Sequence, residues 1–102
     1  MRIITEAAIK LACRKHPKAT AGLNRWLATA KDAQWQNIAD VRSAYPDADP
    51  VMVKSGRIAT VFNICRNDYR LITALHYNTG LAYIMQFLTH AEYSKDTWKD
   101  SL

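Results

Sequence analysis

The apolar residues of this chain change their period at Val51, and that change limits the fold more than any other feature. Before it they recur every three to four residues. Leu23, Trp26, Leu27 and Ala30 follow the i, i+3, i+4, i+7 spacing of one helical face. After it the apolar residues alternate, and Val51–Lys54, Arg57–Cys65, Tyr69–Tyr77 and Leu81–Leu88 read as strands. Short turns join these runs, which predicts an antiparallel meander. A chain that is helical first and stranded second belongs to the α+β class, with its helices packed on one face of the sheet. Its 102 residues suffice for one core of two layers, so residues 1–102 form a single domain.

Local signals set the boundaries. Met1–Ile4 suits a short opening strand. Thr5 occupies the N-cap position of a first helix, with Glu6 in the first turn where the helix dipole favours an acid. Ala8, Ile9, Ala12 and Cys13 share its apolar face, and Pro17 ends it at about His16. A second helix runs from about Lys18 to Ala30. Trp35, Ile38 and Val41 carry a shorter rhythm that fits either one more helical turn or an extended connector. Tyr45-Pro46-Asp47 and Asp49-Pro50 are breakers. Ser55-Gly56, Arg66-Asn67-Asp68 and Asn78-Thr79-Gly80 supply the turns between strands. Thr89-His90-Ala91-Glu92 has the form of a capping box, so a short C-terminal helix follows the last strand directly.

Composition excludes several classes. Hydrophobic residues at 49% and charged residues at 23% are ordinary globular values, unlike those of a disordered tail or a collagen-like rod. No apolar run reaches the roughly 18 residues of a membrane span, and Glu6, Lys10 and Arg14 interrupt the N-terminus before a signal peptide can form. Two cysteines, Cys13 and Cys65, are too few for a disulfide framework, which points to a reducing cytoplasm. The formal charge of +5 suggests a polyanionic partner. That charge is uneven: residues 1–31 hold seven bases against one acid, and residues 32–50 hold four acids against one base. Residues 51–90 are basic again, with four bases against one acid. On charge alone, the basic helices suit RNA and the acidic connector suits a protein partner.

Alternation places Ile58, Thr60, Phe62 and Ile64 on one face of the second strand, opposite Arg57, Ala59, Val61 and Asn63. In the next strand Leu71, Thr73, Leu75 and Tyr77 oppose Arg70, Ile72, Ala74 and His76. In the last, Tyr83, Met85 and Phe87 oppose Ala82, Ile84 and Gln86. A face carrying Arg57, Asn63 and Arg70 is not fully buried unless those groups are paired. One sheet face is therefore expected to be core and the other partly open. Guanidinium, amide, imidazole and phenol groups on an open face suit RNA, although the same residues serve equally as solvated strand positions.

An ordered set of residues then carries a resemblance. Val61-Phe62-Asn63-Ile64, Asn67, Tyr69-Arg70-Leu71-Ile72, Tyr83-Ile84 and Thr89-His90-Ala91-Glu92-Tyr93 resemble the HigB family of type II toxins, within the wider RelE-like group. Ile3-Ile4-Thr5 before a helix and Tyr45-Pro46 before the sheet extend the resemblance over nearly the whole chain. It implies a RelE-like fold: two N-terminal helices on a twisted, mainly antiparallel sheet of four to five strands, with a short C-terminal helix. It implies an mRNA interferase, an endoribonuclease that cuts mRNA, typically in the ribosomal A site, and so inhibits translation. It also implies neutralisation by a cognate helix-turn-helix antitoxin of the HigA type, operator DNA being bound only through the toxin–antitoxin complex. The alternative is a non-catalytic module on the same fold that binds RNA or antitoxin.

The residues are compatible with that chemistry. RNA carries its own nucleophile, the ribose 2′-OH. Cleavage then needs a base, cations for the phosphorane and an acid for the leaving oxygen, with no metal or other cofactor. His90 is the candidate general acid or base, because imidazole titrates near neutral pH. Tyr93, at i+3, falls on the same side of the helix and serves either to stack a base or to orient the attacking hydroxyl. Arg70 matches the family's strand arginine and is the candidate phosphate clamp; the competing role is an ion pair with Asp68 or Glu92. Lys54, Arg57, Asn63, Arg66 and Asn67 are candidate RNA-binding residues. One departure stands out: some RelE-like enzymes use several lysines and arginines and no histidine, whereas residues 51–90 here hold one lysine.

Overall fold

The computed structural model describes residues 1–102. β1 (Arg2–Ile4) leads into α1 (Glu6–Lys15), a 3-10 turn at Pro17–Ala19, α2 (Thr20–Asp32) and α3 (Ile38–Ala44). β2 (Asp49–Met52), β3 (Ile58–Ile64), β4 (Tyr69–His76) and β5 (Leu81–Thr89) follow, then α4 (His90–Ser94) and a 3-10 turn at Thr97–Ser101. The five strands form one sheet in the order β1-β5-β4-β3-β2. The meander β2 to β5 is antiparallel, and β1 adds to β5 in parallel. The class is the α+β that the sequence predicts. Three helices rather than two precede the sheet, because the rhythm of Trp35, Ile38 and Val41 resolves as α3, capped by the Asn37 side chain accepting from Asp40 N. Asp49-Pro50 opens β2 instead of breaking the chain. β2 lies at the sheet edge, where a residue without an N–H is tolerated.

The main core lies between the helices and one sheet face. Ile9 and Ala12 of α1, and Leu23, Trp26 and Ala30 of α2, bury against Phe62, Ile64, Leu71, Ala82 and Ile84. Phe62 is its hub: the rings of Trp26, Tyr45 and Trp35 lie 5.3, 5.4 and 6.1 Å from it. Such ring pairs contribute about 0.5–1.5 kcal/mol each beyond area burial, so the side of the sheet that Phe62 faces is strongly fixed. Alternation then sends Asn63 to the opposite side. α2 approaches the end of β3 closely at Gly22, where a Cβ would stand 3.1 Å from Ile64 Cγ2.

The opposite face is less open than alternation predicts. Val53, Ala59, Val61 and Ile72 form a second, smaller core beneath Trp98, with Tyr93, Leu88 and Leu102 packed around them. The C-terminal segment therefore roofs half of this face. The strict alternation expected of the last strand also fails. The register steps from Ile72↔Gln86 to Thr73↔Ile84, leaving Met85 without a partner in a β-bulge. The extra residue brings Phe87 to the same core as Ala82 and Ile84, whereas a regular strand would set it opposite them.

Candidate functional site

The site begins with a registered pair. Asn63 of β3 and Arg70 of β4 are partners across the sheet and share the face opposite Phe62. Between them the chain turns through Cys65 and Arg66, both left-handed at φ 52° and 61°. Each such conformation costs a non-glycine residue about 1–3 kcal/mol, so the turn must be held from outside. Three contacts hold it. Cys65 Sγ donates to the Lys18 carbonyl at 3.3 Å, His90 N donates to the Asp68 carbonyl at 2.9 Å, and Arg70 Nη1 donates to the Asn67 carbonyl at 2.9 Å.

Arg70 is 8% exposed. Nη1 also donates to the Tyr69 carbonyl at 3.1 Å, and Nη2 lies 3.4 Å from His90 Nδ1. The chain's two ion pairs are Lys31–Glu6 and Lys99–Asp96, so the ion pair weighed for Arg70 with Asp68 or Glu92 does not form. Its charge is held by carbonyl dipoles, an imidazole and the Tyr93 ring. A guanidinium only donates, so Nδ1 of His90 can take part in this contact only as an acceptor.

α4 is placed by its capping box: Thr89 Oγ1 accepts from Glu92 N at 3.2 Å, and Glu92 Oε1 accepts from Thr89 N at 2.9 Å. The hydrogen bond from the Thr89 backbone holds the Glu92 carboxyl below its usual pKa of 4.5, aided by the Thr89 hydroxyl, Lys15 and His16. The helix so anchored presents Tyr93 to Arg70, whose Cζ lies 5.3 Å from the ring centroid. The Tyr93 ring also stacks on Trp98 at 5.3 Å, and Trp98 Nε1 donates to the Tyr93 carbonyl. Cation and indole thus both lie against this ring. Burial, and then the charge of Asp49, raise the Tyr93 pKa above 10.0, so its hydroxyl stays protonated at neutral pH and donates.

Asn63, Asn67, Arg70 and Tyr93 line one groove of about 610 Å³, closed by Arg42, Pro46, Asp47, Ala48 and Asp49. Arg42 Nε donates to the Ala48 carbonyl at 3.0 Å and so fixes that wall. His90 is exposed and lies behind the Arg70 guanidinium, outside the groove lining. Arg66 lines a neighbouring cleft with Lys18 and Arg25, and Asn63 belongs to both hollows. Lys54 and Arg57 stand apart. Arg57 precedes β3 and lines an apolar hollow with Ile58, Met85 and Leu102, and Lys54 N bonds to the Lys99 carbonyl. Arg57 and Asn63 share a face by alternation, but six residues of strand, about 20 Å, separate them.

Sequence reasoning did not single out Arg42, Asp47 and Asp49, which it placed in an acidic connector. Nor did it single out Trp98. The signal for that residue was an indole in an otherwise polar C-terminal stretch, which must cover apolar surface somewhere. No helix is long and apolar enough to cross a membrane.

Residues 19–96 match the HigB toxin family, described as the RelE-like toxic component of a toxin-antitoxin system. The chain is similar to the mRNA interferase toxin HigB of Escherichia coli (strain K12). They are 25% identical over 93 residues, which cover 91% of this chain and 88% of the relative. Proteins named mRNA interferase HigB from Escherichia coli O157:H7 and Shigella flexneri match to the same extent.

Proposed function

Since the chain belongs to the HigB family of RelE-like toxins, we propose that it is an mRNA interferase that cleaves mRNA on the ribosome by attack of a ribose 2′-OH. The observation that carries this reading is Arg70: a guanidinium 8% exposed, without a carboxylate partner, opening into a groove beside a protonated phenol. A buried cation held only by neutral dipoles gains most from an anion that enters beside it.

In the proposed reaction a single linkage enters the groove and Arg70 holds the non-bridging oxygens of the scissile phosphate. The 2′-oxygen attacks phosphorus, the P–O5′ bond breaks, and the products are a 2′,3′-cyclic phosphate and a 5′-hydroxyl. Arg70 stabilises the charge that grows on the phosphorane. Tyr93, held between Arg70 and Trp98, donates from its hydroxyl and fixes the sugar. His90 touches Arg70 from outside the groove lining; once the phosphate draws Nη2 away from Nδ1, the imidazole takes the 2′-OH proton and returns a proton to the leaving O5′. Asn63 and Asn67 offer amides to the flanking nucleotides. Substrate and protein supply nucleophile, cation and proton carriers, so no metal takes part. Asp47 and Asp49 in the same lining limit the negative charge the groove can take, which fits one linkage and not a polyanion at large.

As a family member the chain has an antitoxin partner. We assign this role to a HigA-like helix-turn-helix protein, with operator DNA bound only through the complex and the whole system in the cytoplasm. The test is cleavage of translated mRNA by purified protein and ribosomes. Expected are 5′-hydroxyl ends, activity that survives EDTA, and no cut where the 2′-OH is replaced by hydrogen. Binding of RNA without any cleavage would instead support the non-catalytic module.

A further inference from the structure

The cleft next to the groove has no counterpart in the reaction so far. It measures about 360 Å³ and is lined by Lys18, Arg25 and Arg66, with Ala21, Gly22 and Asn63 among its other walls. The three cations come from three places: the 3-10 turn, α2 and the strained β3–β4 turn. All are exposed, none is in an ion pair, and no acid lines the cleft. This differs from the groove, whose lining includes Asp47 and Asp49 as well as Arg42 and Arg70.

Two features make the cleft a built extension of the site. Asn63 lines both hollows, so they meet across one side chain. Gly22 lets α2 sit close to Ile64 and Cys65, which brings the helical cations to the strand end where Asn63 and Arg66 stand. The left-handed pair Cys65-Arg66, tied to Lys18 through Cys65 Sγ, holds Arg66 toward α2 and leaves Asn67 on the groove side.

We propose that this cleft is a second phosphate-binding subsite, which holds the backbone of the substrate strand one or more nucleotides away from the scissile linkage. The inference rests on the proposed ribonuclease reading. An RNA strand passes from the Arg70–Tyr93 groove over Asn63 into a channel of uncompensated positive charge. Affinity for the strand is thereby separated from the chemistry: the groove selects one linkage and the cleft retains the flanking backbone. Such a subsite reads charge and not base identity, as strand-tracking basic channels do.

The test uses the full chain and RNA made uncleavable by 2′-deoxy substitution, so it is read by binding and does not depend on cleavage. A dinucleotide fills the groove alone; an octanucleotide reaches the cleft as well. Wild-type protein is expected to bind the octanucleotide with a steeper salt dependence. The triple variant Lys18→Gln/Arg25→Gln/Arg66→Gln should lose about 2 units of the log–log salt slope and about tenfold in octanucleotide affinity at low salt. Its melting temperature should stay near wild type, because the three side chains are exposed and unpaired. Dinucleotide affinity should change far less. Wild-type octanucleotide affinity and slope in the triple variant would overturn the proposal. So would a variant that loses ribosome binding but keeps octanucleotide affinity, since the cleft would then serve ribosomal RNA. Octanucleotide binding that depends on the cleft, in a protein that cuts no mRNA, would keep the subsite and remove the ribonuclease reading.

Discussion

Replacing Arg70 should separate stability from activity. Arg70→Ala removes charge-assisted hydrogen bonds to the Asn67 and Tyr69 carbonyls, and such bonds contribute about 1.5–3 kcal/mol. The same change also removes a nearly buried cation that has no carboxylate partner, and relief of its desolvation offsets part of the loss. The net cost is about 1 kcal/mol, a fall in Tm of roughly 4–8 °C for a domain of this size. Catalysis has no such offset. Loss of a preorganised donor to the phosphorane costs about 3–4 kcal/mol, or 10²–10³-fold in rate. Arg70→Lys keeps the charge but not the planar fork that reaches two carbonyls and His90 together, and should recover only a minor part of the rate. The assay is single-turnover cleavage of mRNA on ribosomes with folded variants, beside thermal melting of each. A folded Arg70→Ala protein that cleaves within about threefold of wild type would show that the guanidinium only braces the turn, and the argument from its unpaired charge would fail.

Other changes test the parts around it. Tyr93→Phe keeps the stack on Trp98 and removes the donor, so kcat should fall about 10²-fold with Tm nearly unchanged in melting scans. Because the Tyr93 pKa is raised above 10.0, its ionisation should add no alkaline limb to the wild-type rate profile between pH 7 and about 9. Trp98→Ala should cost about 3 kcal/mol by denaturant titration and lower cleavage as well, since it empties the second core and frees Tyr93. Glu92→Gln should destabilise by less than about 1 kcal/mol at pH 7, because the carboxylate is solvent-screened. The sign follows from the lowered pKa of Glu92. Its contribution is present above 4.5 and is lost as the pH falls through the folded value, so the variant's deficit in urea titrations should vanish in acid.

Much of the architecture follows from local chemistry that a sequence displays. Thr89 and Glu92 announced α4 because a capping box is a short-range device, and Gly56 and Gly80 stand at left-handed positions of two strand-strand turns, whereas the third puts Cys65 and Arg66 there instead of Asn67 and Asp68. Elements decided by distant partners were harder to read. α3 has seven residues, too few for a periodic pattern to separate it from a connector. The bulge at Met85 has no glycine or proline to mark it and exists because Phe87 finds more core by changing sides. Arg70 and Tyr93 line one groove and His90 touches Arg70 from outside that lining, since pairing across the sheet and a capped helix fix their relative positions. Arg57 and Lys54 do not join them: alternation assigns a face, while distance along the strand decides which residues meet.

The pairing of β1 with β5 sets the order in which this molecule can be completed. Ile3 must wait for Ala82, near the far end of the chain, before its backbone finds a partner. Tyr93 and Trp98 lie farther along still. A nascent polypeptide therefore has neither its β1 pairing nor the Trp98 stack against Tyr93 until residues 81–98 have been made.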